Sequence, residues 1–205
     1  MNRGAMSTRA RFVAFSLAIA LLGGCGQSGG GAATGDPPLA GAAIGGPFEL
    51  TSSAGKTVRW SDFDGKFRIV YFGYAYCPDV CPLDVQKMMK GFALFKKANP
   101  GLAAQIQPMF ITIDPARDTP AVVGEFTRAF SSDLLGLTGT PAQIDQAARA
   151  FAVYYQKGEV SENGGYMMDH SRAAYLMGRK GEPIATLPVD QSPEAVAAEL
   201  AKWVS

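Results

Sequence analysis

The sequence feature that most constrains the fold is an apolar run that leads directly into two cysteines. Residues 69–76, IVYFGYAY, precede Cys77, and Cys81 follows in the segment Cys77-Pro-Asp-Val-Cys81-Pro82. A short apolar run rich in aromatic and β-branched residues is typical of a strand buried on both faces. Pro82 is tolerated only in a first helical turn, and apolar residues then recur at helical spacing: Val85, Met88, Met89, Phe92 and Phe95. The two thiols are therefore predicted to lie where a buried strand passes into a helix.

The rest of the chain alternates between strand-like and helix-like segments. We predict a hairpin over 48–60, with further strands at 67–74, 108–114, 134–138, 153–155, 173–177 and 183–187. Helical patterns separate most of them, and the last helix starts at Ser192-Pro193. This alternation predicts an α/β fold with a mixed central sheet flanked by helices. With 205 residues, of which 47% are hydrophobic, the chain can form one domain with a buried core.

The first 24 residues have the layout of an export signal. A basic segment ends at Arg11, an apolar run covers 12–22, and small residues follow. The eleven residues of that run are too few to cross a bilayer about 30 Å thick, which needs roughly 20. A short buried helix is the alternative, but no globular sequence follows to pack against it. We therefore predict a signal peptide over 1–24.

The signal ends in Leu22-Gly-Gly-Cys25, which resembles the lipobox of bacterial lipoproteins. In that motif the cysteine becomes the lipidated first residue of the mature protein, so lipidation is predicted at Cys25. Ordinary secretory cleavage that leaves a free Cys25 is the alternative. Residues 26–46 are rich in Gly, Ala, Ser and Pro, which predicts a lipid-anchored flexible linker over 25–46. The folded domain is then predicted over 47–205.

Charge and cysteine content narrow the function classes. Without the first 24 residues, which hold three arginines and no acid, the formal net charge falls from +1 to −2. The chain therefore lacks the basic balance typical of a nucleic-acid-binding protein. If Cys25 carries lipid, only Cys77 and Cys81 remain among the three cysteines, and an exported compartment permits them to pair.

The two cysteines and the single histidine are candidate metal ligands. A spacing of four residues brings Cys77 and Cys81 to one side of a helical turn, where they can share a metal or form a disulfide. Two soft thiolates and the imidazole of His170, without an obvious fourth ligand, fit structural zinc poorly and favour copper. Asp169 is a candidate partner for the imidazole ring. A structural disulfide, two inert core thiols and a structural histidine are the alternatives.

The sequence does not decide whether the two thiols are protonated or ionised. The start of a helix favours thiolate, whereas the negative charge of Asp79, a candidate helix cap, opposes it. Asp118 or Thr119 is predicted to cap the helix that begins at Pro120, with positioning of the metal site as a second role for this block. Five methionines of the folded domain lie on apolar faces and are predicted to pack in the core: Met88, Met89, Met109, Met167 and Met168.

Four blocks of the sequence resemble the SCO/SenC family of copper-binding assembly factors for cytochrome c oxidase. They begin at Tyr71 (YFGYAYCPDVCP), Ile111 (ITIDPARDTP), Gly136 (GLTGTP) and Tyr166 (YMMDHS). The resemblance implies a thioredoxin-like fold with an N-terminal hairpin. It also implies that copper binds to Cys77, Cys81 and His170. Ala-Tyr precedes Cys77, where family members often have Thr-His or Ser-Tyr.

Two functions from different classes follow from this resemblance. The first is a copper metallochaperone, a binding protein rather than an enzyme, that loads the CuA site of oxidase subunit II. The second is a thiol-disulfide oxidoreductase that reduces the CuA-site cysteines through Cys77 and Cys81. Another periplasmic copper chaperone or a thiol reductase is a further candidate partner. Lipidation at Cys25 predicts a lipid-anchored protein of the bacterial cell envelope that faces the periplasm, and an oxidase partner favours the inner membrane. Peroxidase activity is a third and weaker alternative.

Overall fold

The computed structural model describes Met1 and residues 35–205. The predicted signal peptide and the predicted lipidation site at Cys25 lie outside these residues. Among the described residues, no helix is both long enough and apolar enough to cross a membrane. The strands are β1 (Glu49–Ser52), β2 (Thr57–Arg59), β3 (Phe67–Gly73), β4 (Ile106–Thr112), β5 (Leu135–Thr138), β6 (Tyr155–Lys157), β7 (Met168–His170), β8 (Ala174–Met177) and β9 (Pro183–Leu187). The α-helices are α1 (Val80–Ala98), α2 (Pro100–Ala103), α3 (Pro120–Arg128), α4 (Pro141–Ala150) and α5 (Pro193–Trp203), and a 3-10 helix covers Trp60–Phe63.

Strand β3 is the centre of the fold. Seven strands form one sheet in the order β2-β1-β5-β4-β3-β8-β9. Strands β3, β4 and β5 are parallel neighbours, while β8 pairs with β3 in the antiparallel direction. Every residue of β3 is buried, as expected of a strand that is covered on both faces. The predicted thioredoxin-like α/β fold, with a mixed sheet, flanking helices and an N-terminal hairpin of β1 and β2, is confirmed.

The predicted helix starts are also confirmed in two places. Thr140 and Gln143 form a capping box, in which each side chain bonds to the backbone N–H of the other. Thr119 caps α3 by accepting a hydrogen bond from the N–H of Val122. Each cap is followed by a proline in the first turn, where its missing N–H costs nothing. Of the two predicted caps for α3, Thr119 is the one that makes the bond.

One strand lies two residues later than the sequence pattern predicts. The predicted strand over 153–155 is β6, Tyr155–Lys157. The N–H of Val153 bonds to the carbonyl of Ala148, and Ala152 has a φ of 52°. These residues therefore complete the end of α4, and the chain extends only after them. β6 pairs with β7 in a separate two-stranded sheet.

The end of the predicted linker differs from its prediction. Residues 37–46, called the N-terminal strap below, lie against the domain. Leu39 and Ile44 pack on the core, and the Leu39 N–H donates to the carbonyl of Ile184 at 3.0 Å. Gly45 has a φ of 100°, a conformation that favours glycine. Composition alone predicted a flexible linker because Gly and Ala dominate the segment, but two apolar side chains are enough to dock it.

Helices α1 and α5 approach each other closely at Gly91. A Cβ atom on Gly91 would lie 2.6 Å from side-chain atoms of Val196 and 2.7 Å from the carbonyl oxygen of Pro193. Real Cβ atoms do not approach backbone so closely, so a larger residue must push the two helices apart. Glycine is thus required at this crossing although it is a poor helix former.

We expect Gly91→Ala to destabilise the protein even though alanine is the better helix former. Higher helix propensity adds about 1 kcal/mol, whereas overpacking a close contact costs about 1–3 kcal/mol. The free energy of unfolding, measured by chemical denaturation, should therefore fall. The control is Gly101→Ala in α2, where a Cβ meets nothing within 4 Å and stability should be unchanged or slightly higher. Equal effects of the two substitutions would contradict the packing argument.

Candidate metal centre

The two cysteines lie at the edge of the sheet where β3 ends. β3 finishes at Gly73, the chain turns over 74–79, and α1 starts at Val80. Cys77 therefore lies in the turn and Cys81 in the first turn of the helix. Their side chains are 8% and 0% exposed, and both are free thiols. The predicted strand–helix junction is thus the place where the thiols are found.

The sulfur of Cys77 takes part in starting α1. The N–H of Cys81 donates to Cys77 Sγ at 3.4 Å, which satisfies one of the backbone donors left free at a helix start. Asp79 occupies the N-cap position as predicted, but its side chain makes no capping hydrogen bond. The thiol of Cys77 therefore takes a role that a Ser, Thr or Asp side chain usually has.

Gly73 allows Cys81 to lie against the end of β3. A Cβ atom on Gly73 would be 3.2 Å from Cys81 Sγ, 2.9 Å from the ring of Tyr71 and 3.2 Å from the ring of Phe110. Each of these separations is tighter than an ordinary van der Waals contact. The missing side chain at Gly73 therefore leaves the space into which the Cys81 sulfur fits.

The imidazole of His170 reaches the same sulfur from the opposite segment. His170 is the last residue of β7, and its Nε2 lies 3.1 Å from Cys81 Sγ. Its Nδ1 lies 2.8 Å from the carbonyl oxygen of Ser171. Because a carbonyl only accepts hydrogen bonds, Nδ1 carries the ring proton, and the lone pair of Nε2 faces the thiol. His170 is therefore held in the tautomer that a metal ligand needs.

The partner of the His170 ring differs from the one predicted. The exposed Asp169, proposed from sequence, pairs with Gln156 across the β6–β7 ribbon, whereas the backbone carbonyl of Ser171 holds Nδ1. Neighbouring residues of a strand point to opposite faces, so a side chain adjacent in sequence is poorly placed to reach the ring. The prediction for Asp169 is therefore wrong.

Burial sets the protonation of Cys81 and His170. It raises the pKa of the Cys81 thiol well above its usual range. Burial also lowers the pKa of His170, although the bond to the Ser171 carbonyl opposes this shift. At neutral pH Cys81 is thus a thiol that can donate to a neutral imidazole. The sequence left open whether the pKa of the thiols is raised or lowered. For Cys81 it is raised, because the effect of burial outweighs that of the helix start.

The three side chains adjoin one another without forming a ready-made cage. In the part of the chain that the structure describes, no group of three His, Cys, Asp or Glu side chains has metal-binding spacing. A thiolate and an imidazole that share one ion are about 3.0–4.3 Å apart, for bond angles of 90–180° and bond lengths near 2.3 and 2.0 Å. The 3.1 Å contact of Cys81 with His170 lies at the short end of this range. An ion must therefore replace the thiol proton, but the two side chains are already near a separation at which they can share it.

A buried acid beside the site was missed by sequence reasoning. Asp84, one helical turn after Cys81, is 0% exposed and accepts from the hydroxyl of Tyr71 at 3.0 Å. It also accepts two bonds from Arg172, at 3.0 and 2.7 Å. A signal was available, since Asp84 is a single acid on the apolar face of an amphipathic helix. Such an acid requires a buried partner, but the pattern does not say which one.

Asp118 supports the turn that precedes Cys77. One of its carboxylate oxygens accepts from the N–H of Ala75 at 2.8 Å and from the hydroxyl of Thr112 at 2.7 Å. The other oxygen is buried without a hydrogen-bond partner, and burial raises the pKa of Asp118. Asp118 therefore does not cap α3; it connects the end of β4 to the cysteine turn.

A second group of side chains covers the outer wall of the site. The guanidinium of Arg117 lies 3.6 Å from the ring centre of Tyr166 and 5.2 Å from that of Tyr76, and it donates to Asp114. The hydroxyl of Tyr166 donates to the same Asp114 at 2.9 Å. The segment before β7 is thereby joined to the turn after β4.

The methionine prediction holds for four of the five residues. Met88, Met89, Met109 and Met168 are buried in the core. Met167 is instead 50% exposed, and its sulfur lies 3.8 Å from the hydroxyl of Tyr74. Met167 belongs to an apolar run, but it is the residue just before β7 and its side chain lies on the outer face. Core packing is therefore wrong for Met167.

Comparison with known proteins gives a consistent family. Residues 36–205 match the family model described as SCO1/SenC. Protein SenC of Rhodobacter capsulatus is 43% identical over 161 residues, which cover 77% of this chain and 69% of the relative. The mitochondrial protein SCO1 homolog of Homo sapiens is 37% identical over 158 residues, covering 77% of this chain and 52% of the relative. The chain thus spans about half the length of the human relative.

A solved structure gives the same result in three dimensions. The structure of Bradyrhizobium japonicum ScoI with copper bound has a TM-score of 0.70 and 36% sequence identity, and the match covers 78% of this chain and 99% of that one. The match of the family model to most of the chain shows that this protein belongs to the SCO1/SenC family.

Proposed function

We propose that this protein binds copper through Cys77, Cys81 and His170 and delivers it to the CuA site of cytochrome c oxidase subunit II. The observation that carries the proposal is the 3.1 Å approach of the His170 Nε2 lone pair to the Cys81 sulfur, beside Cys77. Membership of the SCO1/SenC family supports the same function. Copper is the cargo, so the protein acts as a metallochaperone rather than an enzyme.

The donor set suits a copper ion that must be passed on. Thiolates select Cu(I), and imidazole also accepts Cu(II). Binding requires both thiols to lose their protons, so uptake releases protons and is favoured as pH rises. Three protein ligands leave room for an acceptor to add its own. Cys77, 8% exposed, is closer to solvent than the fully buried Cys81 and is the ligand that an acceptor reaches first.

The proposed location follows from the N-terminus. Residues 1–24 act as a signal peptide, and Cys25 carries the lipid that anchors the chain. The linker is shorter than composition predicts, because the N-terminal strap docks on the domain. The protein then faces the periplasm from the inner membrane, where the oxidase lies. A periplasmic copper chaperone is the proposed donor, and a thiol reductase keeps the cysteines reduced.

A thiol-disulfide oxidoreductase is the second candidate. Two observations favour it: both cysteines are free thiols, and they lie close together, since the Cys81 N–H donates to Cys77 Sγ at 3.4 Å. In this reaction the two thiols become a disulfide while a disulfide of the acceptor becomes two thiols. The raised pKa of Cys81 opposes it, since thiolate is the nucleophile.

We expect His170→Ala to weaken copper binding strongly and to change the absorption spectrum of the Cu(II) form. Loss of a ligand should lower affinity by more than the 10- to 100-fold that loss of an outer partner costs. Titration of the reduced protein against a competing chelator measures the affinity. The control is Asp169→Asn, at the exposed neighbouring residue, which should bind as the wild type does. An unchanged spectrum and affinity in His170→Ala would falsify the proposed site.

Oxidation should release copper. A disulfide between Cys77 and Cys81 removes two of the three proposed ligands, so we expect the oxidised protein to bind copper more than 100-fold more weakly than the reduced protein, beyond the outer-partner range. Parallel titrations of the two redox forms measure this difference. Cys25→Ser provides a control that removes the proposed lipidation site without touching the pair, and it should show the same difference between the two redox forms. Equal affinity in both redox states is incompatible with the proposal.

Genetic complementation separates the two candidate functions. In a strain that lacks this chain, we expect Cys77→Ser, Cys81→Ser and His170→Ala each to fail to restore oxidase activity. Asp169→Asn should restore it. If His170→Ala restores full activity while both cysteine variants do not, the oxidoreductase is favoured instead. Added copper should partly rescue variants of a copper carrier, because mass action compensates for weaker binding.

A further inference from the structure

Asp84 makes a buried ion pair that the proposed ligand set does not include. Its carboxylate has three donors, the hydroxyl of Tyr71 and the Nε and Nη2 atoms of Arg172. The two bonds from Arg172 form a fork, in which the planar guanidinium fixes direction as well as distance. Asp84 is 0% exposed at its side chain and Arg172 46%, so the pair extends from the core to the surface.

The ion pair joins the same two segments as the candidate metal ligands. On α1, Cys81 and Asp84 are three residues apart and share a helix face. On the other segment, Arg172 follows His170 by two residues. The Cys81–His170 contact of 3.1 Å and the Asp84–Arg172 contact of 2.7 Å are therefore two adjacent links between them. The second link is charged and bidentate, and is the stronger of the two.

His170 needs such a link because its own strand is outside the central sheet. In the described part of the chain, β7 pairs with β6 in a two-stranded sheet. Pairing with β3 begins only at Ala174, opposite Tyr71. The hydrogen bond from His170 to Ser171 is local and sets the direction of the ring, not its distance from α1. Arg172 lies between β7 and the central sheet and reaches α1 directly.

We propose that Asp84 and Arg172 are positioning residues that hold Cys81 and His170 at the separation copper requires. The inference rests on the proposed function, because both residues act through the ligands. The charges of Asp84 and Arg172 offset each other, and three donors already occupy the carboxylate. The pair therefore does not itself attract the copper ion. A bidentate fork limits how far the His170 segment moves when copper replaces the thiol proton of Cys81.

The sharpest test is Arg172→Lys. Lysine keeps the positive charge beside Asp84 but replaces the planar fork with a single ammonium group, so charge is compensated while direction is lost. We expect a copper affinity about tenfold lower and a shifted Cu(II) absorption spectrum, with larger effects in Arg172→Gln. Affinity, spectrum and apo-protein stability are measured on the reduced full chain. Cu(I) and Cu(II) salts are the probes.

Two further proteins keep the test decisive. Arg172→Gln leaves Asp84 unpaired and could therefore fail to fold. In that case the double variant Asp84→Asn/Arg172→Gln, which removes both charges, is measured in its place. Arg149→Gln is the matched control, since it removes an exposed arginine that pairs with Asp145 at 2.9 Å on α4. It should leave copper binding and the spectrum unchanged.

The possible outcomes separate the two proposals. A spectral shift with weaker binding in folded Arg172 variants supports positioning. Arg172 variants with the wild-type spectrum overturn the positioning role. This holds if their copper affinity is unchanged, and also if it falls only as far as the stability of the apo protein falls, because the ion pair is then merely structural. If Cys81→Ser and His170→Ala themselves bind copper normally, the proposed function is wrong. Unaffected Arg172 variants beside defective ligand variants would refute the positioning role alone.

Discussion

The contact between the Cys81 sulfur and the His170 ring joins residues 89 positions apart in the chain, and the rest of the structure makes that contact possible. Strand β3 carries the chain to the edge of the sheet, where α1 starts. Strand β8 pairs with β3 in the opposite direction, so the segment that precedes β8 returns to the same edge. Gly73 then leaves the space in which the sulfur lies. A fold with a parallel strand in place of β8 would bring His170 to the other end of the sheet.

Burial and the start of a helix act in opposite directions on the pKa of the Cys81 thiol. The free N–H groups at the start of α1 favour thiolate, yet the N–H of Cys81 is already bonded to the sulfur of Cys77. Burial therefore dominates and keeps Cys81 protonated. A metal changes this balance, because its charge replaces the proton in the same space. The Cys81 thiol is consequently less reactive as a nucleophile than its position at a helix start implies, while the neutral imidazole of His170 is already suited to bind a metal.

Local patterns predicted most of the fold and the three proposed ligands. The buried strand before Cys77, the helix after Cys81 and the caps at Thr119 and Thr140 all depend on neighbouring residues. The misplaced strand β6 depends on how α4 ends, through the positive φ of Ala152.

The groups that hold the side chains of the site could not be predicted from local patterns, for a different reason. Asp84 pairs with Arg172 across 88 positions, and Asp118 holds the N–H of Ala75 across 43. A sequence shows that a buried acid needs a donor, but only the folded topology selects which one. The Ser171 carbonyl that holds His170 is a backbone group, so residue type carries no trace of it.

The N-terminal strap docks on the domain at the end opposite the metal centre. Gly45 donates to the carbonyl of Ala150 and lies against Met177, at the end of β8 that pairs with the beginning of β3. The cysteines follow the other end of β3, about 20 Å away at roughly 3.3 Å per residue. The chain therefore enters the domain at one pole and presents its thiols at the opposite pole. If Cys25 is anchored as proposed, the eleven residues to Asp36 extend at most about 40 Å. The thiols then lie at the pole opposite the attachment point, so the tether and the length of β3 together set how far from the lipid surface they can reach.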